Sequence, residues 1–290
     1  MQIRTALLVI VLVGLPASAL GESYAFQPGV LTGPQQGALL SAQGSASPGS
    51  GLGTMTLKKT GWLNGDRMLA LRFLAAITPN VKVTQYKSGY GAVRFNKTSG
   101  SGQVGGLVPN GVFDAFCMDL RDVLAVPTTF YEVKPLGQSP NGGPMPPAKQ
   151  ELLRELWGRY YLSIYTGTPT ERRNKTEAFS LSVWEIGYET SSKLDVTQGP
   201  GFWIQQQKWL NTPAVTSIAN SWLASLNGKG PKWNVWSLAP STAVRGTNLY
   251  QDMMFGLPVP EPGTLAMLVG LVGTLAVGAA WRRRRTPTAG

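Results

Sequence analysis

Histidine is absent from the 290-residue chain, and cysteine occurs once. The first absence removes the imidazole that serves as general base in Ser-His-Asp and Cys-His sites and as the usual zinc ligand. The second excludes intramolecular disulfides and thiolate metal clusters. Charge is sparse as well: 14% of residues are Asp, Glu, Lys or Arg, with 26 basic against 15 acidic residues for a formal net charge of +11. What stays open is carboxylate chemistry, a carboxylate metal site, a lone thiol, or a protein that binds without catalysing. At ~100–200 residues per domain, the length accommodates one domain or two small ones.

The two ends read as addresses. In residues 1–19, Arg4 precedes the apolar stretch Ala6 to Leu15, and Ala17-Ser18-Ala19 has the small-x-small pattern of a signal-peptide cleavage site. At the other end, Gly263 to Trp281 holds 19 residues without a charge. At ~1.5 Å rise per residue it reaches about 28 Å, close to the ~30 Å of a hydrocarbon core. Arg282, Arg283, Arg284 and Arg285 follow at once and would stay cytoplasmic, placing the body on the far side. Ala266, Gly270, Thr274 and Gly278 recur every four residues as a small-residue stripe. Immediately before the apolar run, Pro260 and Pro262 bracket Glu261 and hold the backbone extended and accessible.

Pro-Glu-Pro, one apolar span and a terminal arginine cluster, together with an N-terminal signal, resemble the PEP-CTERM sorting signal of bacterial proteins processed by exosortase. The resemblance implies exosortase as a partner, cleavage at or near Pro260-Glu261-Pro262, and transient residence of the C-terminal helix in the membrane. It further implies delivery to the cell surface or extracellular matrix of a host that makes exopolysaccharide. Setting the two ends aside leaves 21 basic and 14 acidic residues, a net of +7. The densest basic clusters, Lys58-Lys59 and Arg172-Arg173 with Lys175, are too short for a nucleic-acid footprint, so no nucleic-acid partner is expected.

Residues 20–54 are rich in Gly, Ser, Ala, Pro and Gln, a composition that predicts a flexible or extended leader. The body, 55–255, opens with short apolar stretches separated by turn residues, which predict strands; Met68 to Ile77 fits a strand or a short helix. A buried strand is expected over Val112 to Leu120. The period then changes, and a helical section of about three helices is expected over 148–227. Ala148 to Tyr165 follows Pro146-Pro147, Lys175 to Glu189 is opened by Asn174, and Pro213 to Leu226 is capped by Thr212. Trp233 to Leu238 and Ala243 to Phe255 read as closing strands, and 256–290 is the sorting segment. The fold expected is α+β: a mainly β, sandwich-like frame with an inserted helical section.

The single cysteine, Cys117, lies in Phe-Cys-Met-Asp-Leu, and Trp184 lies in the second helix. With the Gln251-Asp252 pair, these segments resemble the thioester domains of bacterial surface proteins, over about Phe116 to Asp252. In that family a cysteine and a glutamine four residues before the helical tryptophan join as an internal thioester that an amine or hydroxyl can open. Here Ser180 stands four residues before Trp184 and has no acyl carbon to offer. The expectation is a non-covalent member of that fold, with Cys117 a small buried hydrophobe and Trp184 a core anchor. The rival is a covalent adhesin using Cys117.

Paired carboxylates are the remaining catalytic option: Glu185 with Glu189, Glu151 with Glu155, and Asp119 with Asp122. Glutamates four apart beside Arg154, Arg159 or Lys193 more commonly mark solvated, ion-paired helix faces, so the chain is read as non-catalytic. A secreted carboxylate glycosidase is the alternative. No metal and no cofactor are expected. Trp203, beside Gln205-Gln206-Gln207, is the candidate for an exposed platform stacking on exopolysaccharide, whereas Trp222 belongs to the core.

Overall fold

Met55 and Leu57 are buried while Thr54 and Lys58 are exposed, the alternation of a strand with one face on a core. This strand opens a computed structural model that describes residues 52–63, 68–74, 83–89, 91–120, 128–138, 144–204, 212–240 and 251–258. The signal peptide, nearly all of the leader, and the sorting segment with Pro260, Glu261, Pro262 and Arg282 to Arg285 lie outside the described residues. No helix among the described residues is long and apolar enough to cross a membrane.

Nine strands are described: β1 (Thr54–Trp62), β2 (Met68–Leu74), β3 (Val83–Gly89), β4 (Ala92–Ser101), β5 (Gly111–Cys117), β6 (Thr128–Pro135), β7 (Phe202–Ile204), β8 (Trp233–Pro240) and β9 (Met253–Pro258). Six of them pair in the order β1-β4-β5-β9-β8-β6, every pair antiparallel, and β6 returns to β1 to close a barrel. The frame is therefore mainly β within an α+β fold, but it is one sheet curled on itself and not a sandwich. Two register shifts in β1, between Thr56 and Leu57 and between Lys59 and Gly61, bend and twist the strand, the local deformation that closure requires. Aromatic rings fill the interior: Phe95 lies 5.9 Å from Phe113 and 6.1 Å from Tyr131, and Phe255 lies 5.9 Å from Phe113 and 5.7 Å from Trp236. A second, three-stranded sheet has the order β3-β2-β7, so the ambiguous Met68 segment is a strand.

Between β6 and β8 come three helices: α1 (Pro147–Tyr160), continued by a 3-10 turn over Tyr161–Tyr165, α2 (Pro169–Tyr188) and α3 (Thr212–Ser225). Helix α2 begins six residues before the expected Lys175. The reason is local: Thr168 Oγ1 accepts from Glu171 N while Thr168 N donates to Glu171 Oε2, a capping box that also has Pro169 at the first helical position. Asn174, expected as the cap, is instead a buried residue within the helix.

Strand β5 is buried on both faces. Phe113 points into the barrel, and Phe116, of opposite parity, meets Phe179 of α2 at 4.5 Å and Trp157 of α1 at 5.5 Å. Trp157 also stacks on Tyr161 at 5.6 Å, and Tyr160 stacks on the buried Trp222 at 4.7 Å. The close approach of α1 to the barrel needs Gly256 in β9, where any Cβ would collide with the Trp157 indole. Asp114 ties the 3-10 turn to the barrel: it accepts from Arg94 Nε at 2.9 Å and from Tyr165 Oη at 2.9 Å, and Tyr165 shares a hydrogen bond with Tyr161. Trp203, expected as an exposed platform, is half-buried in β7, where it pairs across from Arg72.

Candidate functional site

The chain leaves β5 at Cys117, and its next three residues are held from both sides. Trp184 Nε1 donates to Cys117 O at 2.8 Å; one turn further along α2, Tyr188 Oη accepts from Leu120 N at 3.1 Å and donates to Asp119 Oδ1 at 3.4 Å. From the residues that lead into β9, Asp252 O accepts from Met118 N at 2.8 Å, and Gln251 Nε2 donates to Asp119 O. Cys117, Met118, Asp119, Gln251 and Asp252 are all buried. The fold thus gathers at one seam Cys117, Trp184 and the Gln251-Asp252 pair, which the sequence places up to 135 residues apart.

The chemistry at the seam is that of a packed joint. Burial pushes the Cys117 thiol up to about 12, with Lys59 acting downward and Asp119 upward, so the sulfur stays protonated at neutral pH and is a poor nucleophile. Ser180, one turn before Trp184, is fully buried, and its Oγ has no hydrogen-bond partner among the described residues. The residue of β5 whose side chain meets α2 is Phe116, while Cys117 shares strand parity with the inward-facing Phe113.

A second polar centre begins one residue after Trp184, at the glutamate pair whose spacing suggests a solvated face. Glu185 and Glu189 are not a solvated face; both are buried, at 0% and 1% exposure. They suspend the segment 190–202 from the end of α2. Glu185 Oε1 accepts from Asp195 N at 2.7 Å, and Glu189 accepts from Thr190 N, Ser191 N, Gly201 N and Phe202 N at 2.6–3.3 Å. Asp195 in turn accepts from Thr197 N, Thr197 Oγ1, Gln198 Nε2 and Asn220 Nδ2. Lys149 of α1 closes the cluster by donating to the carbonyls of Gly187 and Glu189, favourable partners at a helix C-terminus.

The three carboxyls differ because their donors differ. Burial raises Glu185 to about 8; nearby Glu189 and Asp195 add to the rise, while the Asp195 N–H and Lys149 oppose it. Burial also acts upward on Glu189, but backbone donors outweigh it and lower the group. Asp195 is brought down to about 2 by the Thr197, Gln198 and Asn220 hydrogen bonds, again against burial. The signal that could have revealed this cluster is Asp195-Val196-Thr197, an Asx-turn pattern ten residues after a helical glutamate.

The other carboxylate pairs divide. Glu151 is partly exposed and paired with Arg154 and Lys232, as a solvated face predicts, whereas Glu155 is buried and accepts from Arg159 Nε at 2.7 Å and from the Asn227 and Gly228 amides. Asp119 belongs to the seam, and Asp122 lies outside the described residues. Among the described residues, no group of three or more Asp, Glu, His or Cys side chains is arranged to hold a metal ion.

Residues 258–285 match the PEP-CTERM protein-sorting motif family, a segment that contains Pro260-Glu261-Pro262, the apolar run and Arg282 to Arg285. The chain carries a PEP-CTERM sorting motif, which marks an exported protein with a C-terminal membrane-anchoring signal, processed by exosortase. No curated protein and no solved structure matches the chain.

Proposed function

We propose that the protein is a structural or adhesive component of the cell surface or extracellular matrix, associated with exopolysaccharide and without catalytic activity. The observation that carries this reading is the sorting motif at 258–285. The expected route is export, transient anchoring by the apolar segment with Arg282 to Arg285 on the cytoplasmic side, and cleavage by exosortase near Glu261. Replacing Pro260, Glu261 and Pro262 together by alanine in the producing cell is expected to leave a full-length, membrane-held form, where the wild type yields a shorter form outside. Immunoblots of fractionated cells check this; equal processing of both proteins would overturn the sorting assignment. The exterior form is expected to co-sediment with the host polysaccharide. Trp203→Ala is expected to weaken that association, and sedimentation unchanged by this variant would count against Trp203 as a contact.

The seam is proposed to be non-covalent. Ser180 supplies no acyl carbon, and the Cys117 thiol is buried and held protonated. Intact-mass measurement of the purified protein is expected to show no loss of ammonia, and Cys117 is expected to alkylate only after unfolding. A mass deficit of one ammonia, with Cys117 still blocked in denaturant, would establish the covalent alternative.

A further inference from the structure

Where α1, the end of α2 and the end of α3 meet the segment 190–202, the surface opens into a cleft of about 420 Å³. That volume is within the ~300–1,000 Å³ range of small-molecule sites. Its walls are aliphatic: Leu152 from α1, Leu194 from the suspended segment, Leu223 from the end of α3 and Leu226 just after it. Among the described residues no aromatic ring lines it, so these walls do not offer the flat faces on which sugars stack. Its polar border includes two ammonium groups, Lys149 and Lys193, and the hydroxyls of Ser191 and Ser192.

The sign of the border follows from two ammonium groups against one carboxylate. Glu189 also lines the cleft, but its two carboxylate oxygens are both taken by backbone N–H groups of the chain that the cluster suspends. Lys149 uses two of its three N–H bonds on the carbonyls of Gly187 and Glu189, and keeps one. Lys193 is exposed. The cleft therefore combines an aliphatic floor with a net positive rim. A bound anion would meet at least one ammonium without displacing an existing ion pair, and an alkyl chain would cover the half-buried side chains of Leu152, Leu194 and Leu226, with the buried Leu223 beneath them.

We propose that this cleft binds an alkyl carboxylate, a medium-length aliphatic chain with a single anionic head, with the chain against Leu152, Leu194, Leu223 and Leu226 and the head at Lys149 and Lys193. This ligand class goes beyond the surface role proposed above and does not depend on it.

The test uses the full chain reconstituted in lipid nanodiscs and a photoreactive, diazirine-bearing decanoate analogue, with cross-linked peptides mapped by mass spectrometry. Labelling is expected to concentrate on peptides covering 186–194 and 223–226. Unlabelled decanoate should displace it, and decyltrimethylammonium should not. Lys193→Glu, an exposed position, is expected to reduce site labelling at least tenfold, and Ala224→Glu, exposed on the cleft wall, to remove it. Labelling spread evenly over the body, or competed equally by the cationic amphiphile, would overturn the proposal. Loss in Ala224→Glu with full labelling in Lys193→Glu would overturn the carboxylate assignment, since the cleft would then accept an uncharged chain.

Discussion

Trp184→Ala is expected to destabilise the protein by about 3–5 kcal/mol, the range for emptying a fully buried tryptophan site. Against a typical total of ~5–15 kcal/mol, that is a large fraction of the fold's stability. The indole is fully buried, lies 6.3 Å from the ring of Phe202, and donates to Cys117 O at 2.8 Å. Two contributions are lost together, the packing and the hydrogen bond, and Trp184→Phe separates them. Phenylalanine keeps much of the apolar volume but leaves the buried Cys117 carbonyl without its indole donor, at a cost of ~1–3 kcal/mol. Urea denaturation followed by tryptophan fluorescence and circular dichroism checks the series. If Trp184→Phe matches the wild type, the indole N–H contributes nothing to the seam, and the joint between α2 and β5 rests on ring packing alone.

This seam was legible in part. Phe116-Cys117-Met118-Asp119 announces a buried strand end, and Trp184 in an apolar helical stretch announces a core anchor; both statements need only composition and period. That Gln251 reaches Asp119 O needs the register of β5 against β9, where Cys117 pairs with Met253. Register between strands more than 130 residues apart is set by barrel closure, which no local window contains. The same limit explains the missed barrel. Alternation in β1 is identical for a sandwich and a barrel, and only the return of β6 to β1 distinguishes them.

The start of α2 was legible and misread. Thr168-Pro169-Thr170-Glu171 is a stronger helix opening than Asn174-Lys175-Thr176-Glu177, because it supplies both a proline at the first position and a reciprocal cap. The burial of Glu185 and Glu189 was not legible in that way. A glutamate on a helix is buried when backbone donors converge on it, and here the donors come from residues 190–202, whose path the sequence does not specify. Spacing alone made the pair look like a surface feature. In the fold the pair anchors the segment 190–202.

Glu185→Gln is expected to remove a pH dependence of stability, and its neighbour should show the opposite sign. The folded-state Glu185 carboxyl titrates at about 8 against an ordinary value of 4.5. Between those values the folded protein keeps a proton that the unfolded chain has released. Stability therefore falls as pH rises through that window, by ~1.4 kcal/mol per unit, and levels off above about 8. Glutamine cannot ionise yet retains an oxygen for the Asp195 N–H, so the variant should match the wild type near pH 4.5 and exceed it by a few kcal/mol at pH 9. Glu189 is depressed by its backbone donors, so it stabilises the fold above its unfolded value and loses that contribution as pH falls through its folded one. Glu189→Gln should therefore be less stable than the wild type at neutral pH, by at least ~1.5 kcal/mol, the value of one charge-assisted hydrogen bond. That deficit should shrink in acid. Thermal unfolding from ~pH 2.5 to ~pH 9, a range that extends below the unfolded carboxylate value, checks both variants in one series. Parallel profiles for wild type and Glu185→Gln would show that Glu185 is already ionised in the fold at neutral pH, with Lys149 and the Asp195 amide then outweighing its burial. A deficit in Glu189→Gln that stays unchanged in acid would show that the hydrogen bonds of 190–202 do not depend on the charge of the carboxylate that receives them.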